Sequence, residues 1–394
     1  MIKLKNILYG LILFTTVFQI IKFYSFYLEY SDWQYADWLI NYQGGFIRRG
    51  LTGEILFQIY NITNIKLDLL ILLFVWSILF LIMFFLIKSL KYLNNSRLDT
   101  LIFLSPGFFI YPIMNSEIIG RKDILLFAAV GILVFYERNF KSKFLLLYLV
   151  TTIFYISLSH SGLLFYIPYL IFLFILIKIN RNEKIDFREI LIILIGTTFV
   201  LFFIYSNQGS KFQVIEICNS IKNFVLENCQ NRAQFGWLST PVEEHMKFKT
   251  RSNLDNYVLF YLVSLVLVFI FIGIKLFFSK FETYSSNLNK IRPLYILLVL
   301  FFLTLPVYIL GYDWGRYISM SYYCSFFIYI FCIKKKMIIF DISKTKLKLN
   351  LPKYAFVFFV LIYTVGWTFP FYGANNFKLP LKKPIYQLYK ILNK

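Results

Sequence analysis

The stretch Leu67–Ile87, reading LDLLILLFVWSILFLIMFFLI, decides the fold, because it runs from end to end with a single charge, Asp68, at its second position. As an α-helix it would extend about 31 Å, the thickness of a bilayer's hydrocarbon core, and no face of it is polar enough to meet water. Segments of the same kind recur on both sides. Membrane spans are predicted at 7–24, 67–87, 100–114, 124–137, 144–158, 163–177, 190–205, 257–278, 294–310, 317–333 and 354–371, eleven in all. Composition agrees: 59% of the 394 residues are hydrophobic, 21% aromatic and 15% charged, and the mean hydropathy of +0.66 excludes a water-soluble globule. The expected fold class is all-α, a polytopic integral membrane protein with one transmembrane domain over 1–394 and one longer loop, 206–256, carrying an amphipathic helix.

Charge sets the expected orientation. A net charge of +21 would suit nucleic acid in a soluble domain, but here much of the excess sits in short clusters between apolar runs, so no nucleic-acid partner is expected and membrane lipid is. Lys88, Lys91 and Arg97, then Arg138, Lys141 and Lys143, then Lys178, Arg181, Lys184 and Arg188, then Lys334-Lys335-Lys336 fall in alternate connections. That alternation predicts N-in, C-out in a bacterial inner (cytoplasmic) membrane. The basic start and apolar run of residues 1–24 lack a small-residue cleavage site downstream, so they are read as the first span rather than a signal. The outer segments are then 25–66, 115–123, 159–162, 206–256, 311–316 and the tail from 372.

Pro106-Gly107 and Pro112 interrupt the third span. Broken backbone at that depth needs protein or a wet cavity over it, which predicts a cavity near 106–123. Cys324 and Cys332 lie in an apolar helix, whereas Cys218 and Cys229 lie in the long loop, where an oxidising compartment would permit a disulfide. The helical spacing of Val214, Ile217, Ile221, Phe224 and Val225 argues against one, since a straight helix would hold the sulfurs about 16 Å apart; a break between them would reopen it.

Polar residues on the outer face need a reason beyond anchoring. Segment 25–66 mixes Glu29, Asp32 and Asp37 with Trp33, Tyr35 and Trp38, a combination suited to sugars or to an interfacial aromatic belt. It continues as Gly44-Gly45-Phe46-Ile47-Arg48-Arg49-Gly50, then Glu54. Glycines permit close backbone approach, and guanidinium forks match phosphate oxygens, although arginines also snorkel to headgroups. Glu117, Arg121, Lys122 and Asp123 crowd the segment 115–123, as a phosphate site or as internal ion pairs. His160, within Ser157–Gly162, is a candidate acid, base or phosphate donor. Gly311-Tyr312-Asp313-Trp314-Gly315-Arg316-Tyr317 holds an Asp and an Arg three apart, which can pair, while Asp313 alone can cap a helix. Pro241 and His245 belong to the long loop, read as a lid or acceptor platform, with no role given to His245. No zinc pattern, P-loop, dinucleotide fingerprint or serine elbow is present, which speaks against a nucleotide-driven pump.

With about eleven spans, one long outer loop and outer-face arginines carried by Gly44–Gly50, Gly120–Asp123 and Asp313–Arg316, the chain resembles bacterial polysaccharide polymerases of the Wzy type. It also looks like the wider class of lipid-carrier glycosyltransferases with a C-type membrane fold, in which an acid of the first outer loop acts near the sugar donor; Asp32 and Asp37 occupy that place. The resemblance implies a glycosyltransferase joining undecaprenyl-diphosphate-linked repeat units at the outer face of the inner membrane, for O-antigen or capsule, with lipid-linked donor and acceptor glycans and a chain-length regulator protein as partners. Arg48, Arg49, Arg121 and Arg316, with Glu117 and Asp123, are then the substrate-binding candidates, and Asp313, His160, Asp32 and Glu54 the candidate bases. No cofactor is expected; no Asp-x-Asp pair or other metal-ligand motif is seen, and the metal requirement stays open. A flippase or transporter of the same glycans, an O-antigen ligase and another polyprenyl-dependent glycosyltransferase are the alternatives. Gathering of ionisable groups at one set of helix ends rather than at the midplane favours the enzyme.

Overall fold

The computed structural model describes residues 2–31, 33–93, 96–224, 229, 233–240, 254–340 and 352–372. In chain order the helices are α1 (Ile2–Leu28), α2 (Leu51–Thr63), α3 (Leu67–Ser89), α4 (Arg97–Phe103), α5 (Tyr111–Met114), α6 (Asp123–Tyr136), α7 (Ser142–Ser159), α8 (Ile167–Asn180), α9 (Phe187–Ser206), α10 (Lys211–Ser220) and α11 (Ala233–Leu238). After these come α12 (Leu254–Phe277), strand β1 (Ser279–Phe281), α13 (Ser286–Asn289), α14 (Pro293–Leu310), α15 (Trp314–Lys334), strand β2 (Ile338–Phe340) and α16 (Lys353–Val365). Short 3-10 turns cover Ala36–Leu39, Ser116–Ile118 and Ser161–Tyr166.

The protein is mostly helical, and among the described residues eight helices are long and apolar enough to cross a membrane. The expected spans that fall short are 100–114, 124–137 and 354–371. The first is split into α4 and α5, α6 is 14 residues long, and α16 ends at Val365. The break after α4 is covered by protein: Ser105 donates its hydroxyl to the Val268 carbonyl of α12 (3.0 Å), and Phe108 packs on Phe326 with ring centroids 4.3 Å apart. That is protein cover of the kind broken backbone at such depth requires.

The chain divides into two compact units. One comprises Met1–Thr15, Ile87–Glu117 and Ser252–Lys394. In it α12 packs against α4, α14 and α15, and β1 pairs antiparallel with β2, Lys280 opposite Ile339. A buried pair closes this end of the unit: Lys275 Nζ lies 3.3 Å from Asp99 Oδ1, which also accepts the Tyr329 hydroxyl at 2.9 Å.

The other unit comprises Thr16–Leu86 and Ile118–Arg251. Here α7 is the central helix, against α2, α8 and α9. Polar side chains sort to its two ends. At one end Lys178 pairs with Glu189 (2.8 Å) and Glu183 (3.2 Å), and Arg181 donates to the Glu137 carbonyl. At the other, the loops after α1, before α6, after α7 and after α9 come together. The α9 and α10 starts are written locally, each with a reciprocal capping box, Asp186 with Glu189 and Ser210 with Gln213.

Cys218 and Cys229 form a disulfide, with Cα atoms 5.8 Å apart. The spacing argument failed because α10 stops at Ser220, where the chain turns and Phe224 N–H bonds back to the Ile221 carbonyl. Val214 and Ile217 bury the helical face as expected, and Ile221 and Phe224, beyond the end of the helix, are buried too; Val225 lies outside the described residues.

Candidate functional site

The loop after α1 turns inward. Tyr35 and Trp38 are fully buried, and Trp38 donates its indole N–H to the Gly120 carbonyl at 2.7 Å. This corrects the sugar-platform and interfacial-belt readings for these two rings, which are core. Gly120 takes φ +75° and sits where an added Cβ would meet the Phe23 ring at 2.1 Å, so only glycine suits the contact. Gly44 is required for a comparable reason: a Cβ there would lie 2.5 Å from the Gln213 carbonyl oxygen of α10. Its close approach serves helix packing.

These contacts set the Arg48-Arg49 turn. Arg48 is buried; its Nη2 donates to the carbonyls of Trp237 (2.9 Å) and Thr240 (3.3 Å), and its backbone N–H to Asn207. Arg49 takes φ +75°, and its carbonyl accepts Lys122 Nζ at 2.8 Å. No carboxylate among the described residues pairs with either guanidinium, and each Nε is buried without a hydrogen-bond partner among them. Burial, then the neighbouring charge of Arg49, pushes Arg48 down to about 10, still charged at neutral pH.

Behind the turn lies Lys122, with 0% exposure. Its Nζ is 3.5 Å from Asp37 Oδ2 and 5.7 Å from the Trp38 ring centroid. Burial pushes the ammonium down, Asp37 pulls it up and Arg49 pushes it down again, leaving it at about 8. Asp37 is only 4% exposed, and its Oδ1 has no hydrogen-bond partner among the described residues. The sequence assigned Lys122 no role and left Asp37 outside the candidate bases. Their pairing spans 85 positions, so only the mixture of acid and base in each segment hinted at it.

The remaining candidates divide. Arg121 is buried with its guanidinium 5.8 Å from the Trp33 ring, a cation–π contact, and Asp123 is buried at the start of α6. His160 breaks the chain between α7 and the next helical turn, with φ −156°, and its Nδ1 accepts the Gly162 N–H at 3.2 Å. With Nδ1 accepting, a neutral His160 ring carries its proton on Nε2. Beside it Ser159 and Thr52 hydroxyls meet at 2.6 Å, tying α7 to α2. Glu54 accepts the Tyr42 N–H at 2.8 Å and amides of Gln58 (2.6 Å) and Gln43 (3.3 Å). That carboxylate holds the turn together. Asp32 lies outside the described residues, as do Pro241 and His245.

Glu117 and the Asp313–Arg316 pair belong to the other unit. Glu117 is exposed. Arg316 Nη1 reaches Asp313 Oδ2 at 2.6 Å, and Asp313 makes no side-chain cap to α15, so pairing wins over capping. The four groups expected in one pocket are thus split as Arg48, Arg121 and His160 in one unit and Asp313 in the other. Among the described residues no three His, Cys, Asp or Glu side chains gather as metal ligands. No family model matches the chain, and neither does any curated protein or solved structure.

Proposed function

We propose that the protein is a membrane-embedded polysaccharide polymerase that joins lipid-diphosphate-linked glycan repeat units on the extracytoplasmic face. The observation that carries this reading is the Arg48-Arg49 turn. Two guanidinium groups with no carboxylate partner among the described residues, backed by a third buried cation, create positive charge that an anionic ligand would offset. A diphosphate flanked by a lipid and a sugar is an anion that a membrane protein meets from the bilayer.

The disulfide supports an extracytoplasmic placement of the site. Asn41 donates to the Ser220 hydroxyl at 2.9 Å, so the Cys218–Cys229 loop and the arginine turn share one end of their unit. Disulfides persist in oxidising compartments, and the opposite end carries Lys178, Arg181 and Arg138. Both signs support N-in, with the turn outside the cytoplasm.

In the reaction, the acceptor hydroxyl attacks the anomeric carbon of the growing glycan, and the bond from that carbon to the diphosphate oxygen breaks. The lipid diphosphate leaves with the bonding pair, its charge stabilised by Arg48 and Arg49. The hydroxyl proton goes to Asp37, whose Oδ1 is buried and unpartnered among the described residues, so that the acceptor has to reach it behind the arginine turn.

The test is the purified protein with lipid-linked repeat units. A ladder of lengths is expected from wild type and none from Arg49→Ala or Asp37→Asn. A single product would indicate one-step transfer or ligation, and bilayer movement without new bonds would indicate transport; either would overturn the polymerase reading. Arg49→Ala is the cleaner arginine variant, because Arg48 also anchors the Trp237–Thr240 segment.

A further inference from the structure

The arginine turn is held by an amine that solvent does not reach. Lys122 Nζ bridges two elements, lying 3.5 Å from the Asp37 carboxylate and donating to the Arg49 carbonyl at 2.8 Å. Arg49 sits at φ +75°, a conformation that costs a side-chain-bearing residue energy and persists where surroundings over-determine it. The Lys122 bond grips the Arg49–Gly50 peptide, which leaves that residue on its C-terminal side.

Resting on the diphosphate reading above, we propose that Lys122 is a positioning residue: it holds Arg49 in its anion-binding conformation, and it takes up a proton when an anion fills the site. The charged groups that face it are Asp37 from the 3-10 turn and Arg49 from the turn before α2, with Arg121 and Asp123 flanking it on its own segment. In the empty site burial and Arg49 disfavour the ammonium, with Asp37 opposing them, leaving Lys122 at about 8. An anion beside Arg49 neutralises that repulsion and adds attraction, so the bound state favours the ammonium. The sign follows: a group whose pKa rises on binding contributes affinity that is complete below its empty-site value and lost as pH climbs through it.

From a starting value of about 8, affinity for a ligand of constant charge falls about tenfold between about pH 7 and about pH 9. The probe is the diester of diphosphate with one methyl on each phosphorus, whose two negative charges do not titrate in that range. Calorimetry on the full-length protein in nanodiscs reads both the affinity and, by comparing buffers of different ionisation heat, the proton taken up. Wild type should weaken about tenfold at the higher pH and show proton uptake there. Lys122→Arg should bind alike at both pH values, and Lys122→Met weakly at both.

Wild-type affinity independent of pH, without buffer-dependent heat, overturns the role of Lys122 and leaves the anion site standing. Absence of wild-type binding, or undiminished binding by Arg49→Ala, overturns the anion site itself. The buffer comparison uses wild type alone, so a poorly folding Lys122 variant does not remove the test.

Discussion

Replacing Cys218 and Cys229 by serine should loosen α10, the helix against which the Gly44–Phe46 backbone rests. The bridged residues are separated by 11 positions. Closing a loop of that length lowers the entropy of the open chain by about 9 cal/mol/K, or about 2.8 kcal/mol at about 25 °C. The helix is otherwise seated by Gln213 Nε2 on the Phe46 carbonyl (2.9 Å), by the Asn41–Ser220 bond (2.9 Å) and by buried Val214 and Ile217. If local opening bears the whole loss, amides of α10 exchange about a hundredfold faster without the crosslink. Hydrogen exchange read by mass spectrometry in nanodiscs, with α3 peptides as the unchanged control, measures this in the double variant and in reduced wild type. Equal protection of α10 in oxidised and reduced protein would refute the reasoning. Maleimide labelling of both cysteines in protein isolated without reductant would go further and remove the argument for an oxidising compartment.

Gly120→Ala should cost about 1–3 kcal/mol, since its Cβ would meet Phe23 at 2.1 Å and its φ is +75°; an unchanged melting temperature in detergent would contradict this. Lys275→Met leaves Asp99, 2% exposed, without its ion partner, at a cost of about 3–5 kcal/mol. Adding Asp99→Leu should recover much of that stability, and a double variant as unstable as the single one would show that the pair is not what matters. Glu54→Gln should retain chain extension, because Glu54 acts here as an acceptor for the Tyr42 N–H; complete loss of the product ladder with normal folding would return Glu54 to the list of bases.

The spans were legible wherever periodicity gave way to plain length, as in α3, α9 and α12. Ser105-Pro106-Gly107 was legible as a break, but what covers it depends on Val268, far along the chain. Arginine and glycine between Gly44 and Gly50 marked a special turn correctly, while the reason for Gly44 lay in a helix more than a hundred residues away. Trp38 read as a surface ring because composition cannot reveal that its N–H finds Gly120. The disulfide stayed open for the opposite reason: a local signal, helical spacing across Ile221, argued against it, and only the end of the helix at Ser220 removes that argument. Lys122 illustrates the general limit, since a buried cation is meaningful only through the partners that bury it, here Asp37 and the Arg49 carbonyl.

The central claim is that the Arg48-Arg49 turn, backed by Lys122, holds a diphosphate. The most direct measurement is a cryo-electron-microscopy structure of the full-length protein in nanodiscs with a lipid-diphosphate-linked glycan. Both phosphorus atoms are expected beside the Arg48 and Arg49 side chains, with Lys122 still on the Arg49 carbonyl and the acceptor reaching toward Asp37. Diphosphate density elsewhere in the protein, with the two arginines turned to carboxylates of the chain itself, would contradict it.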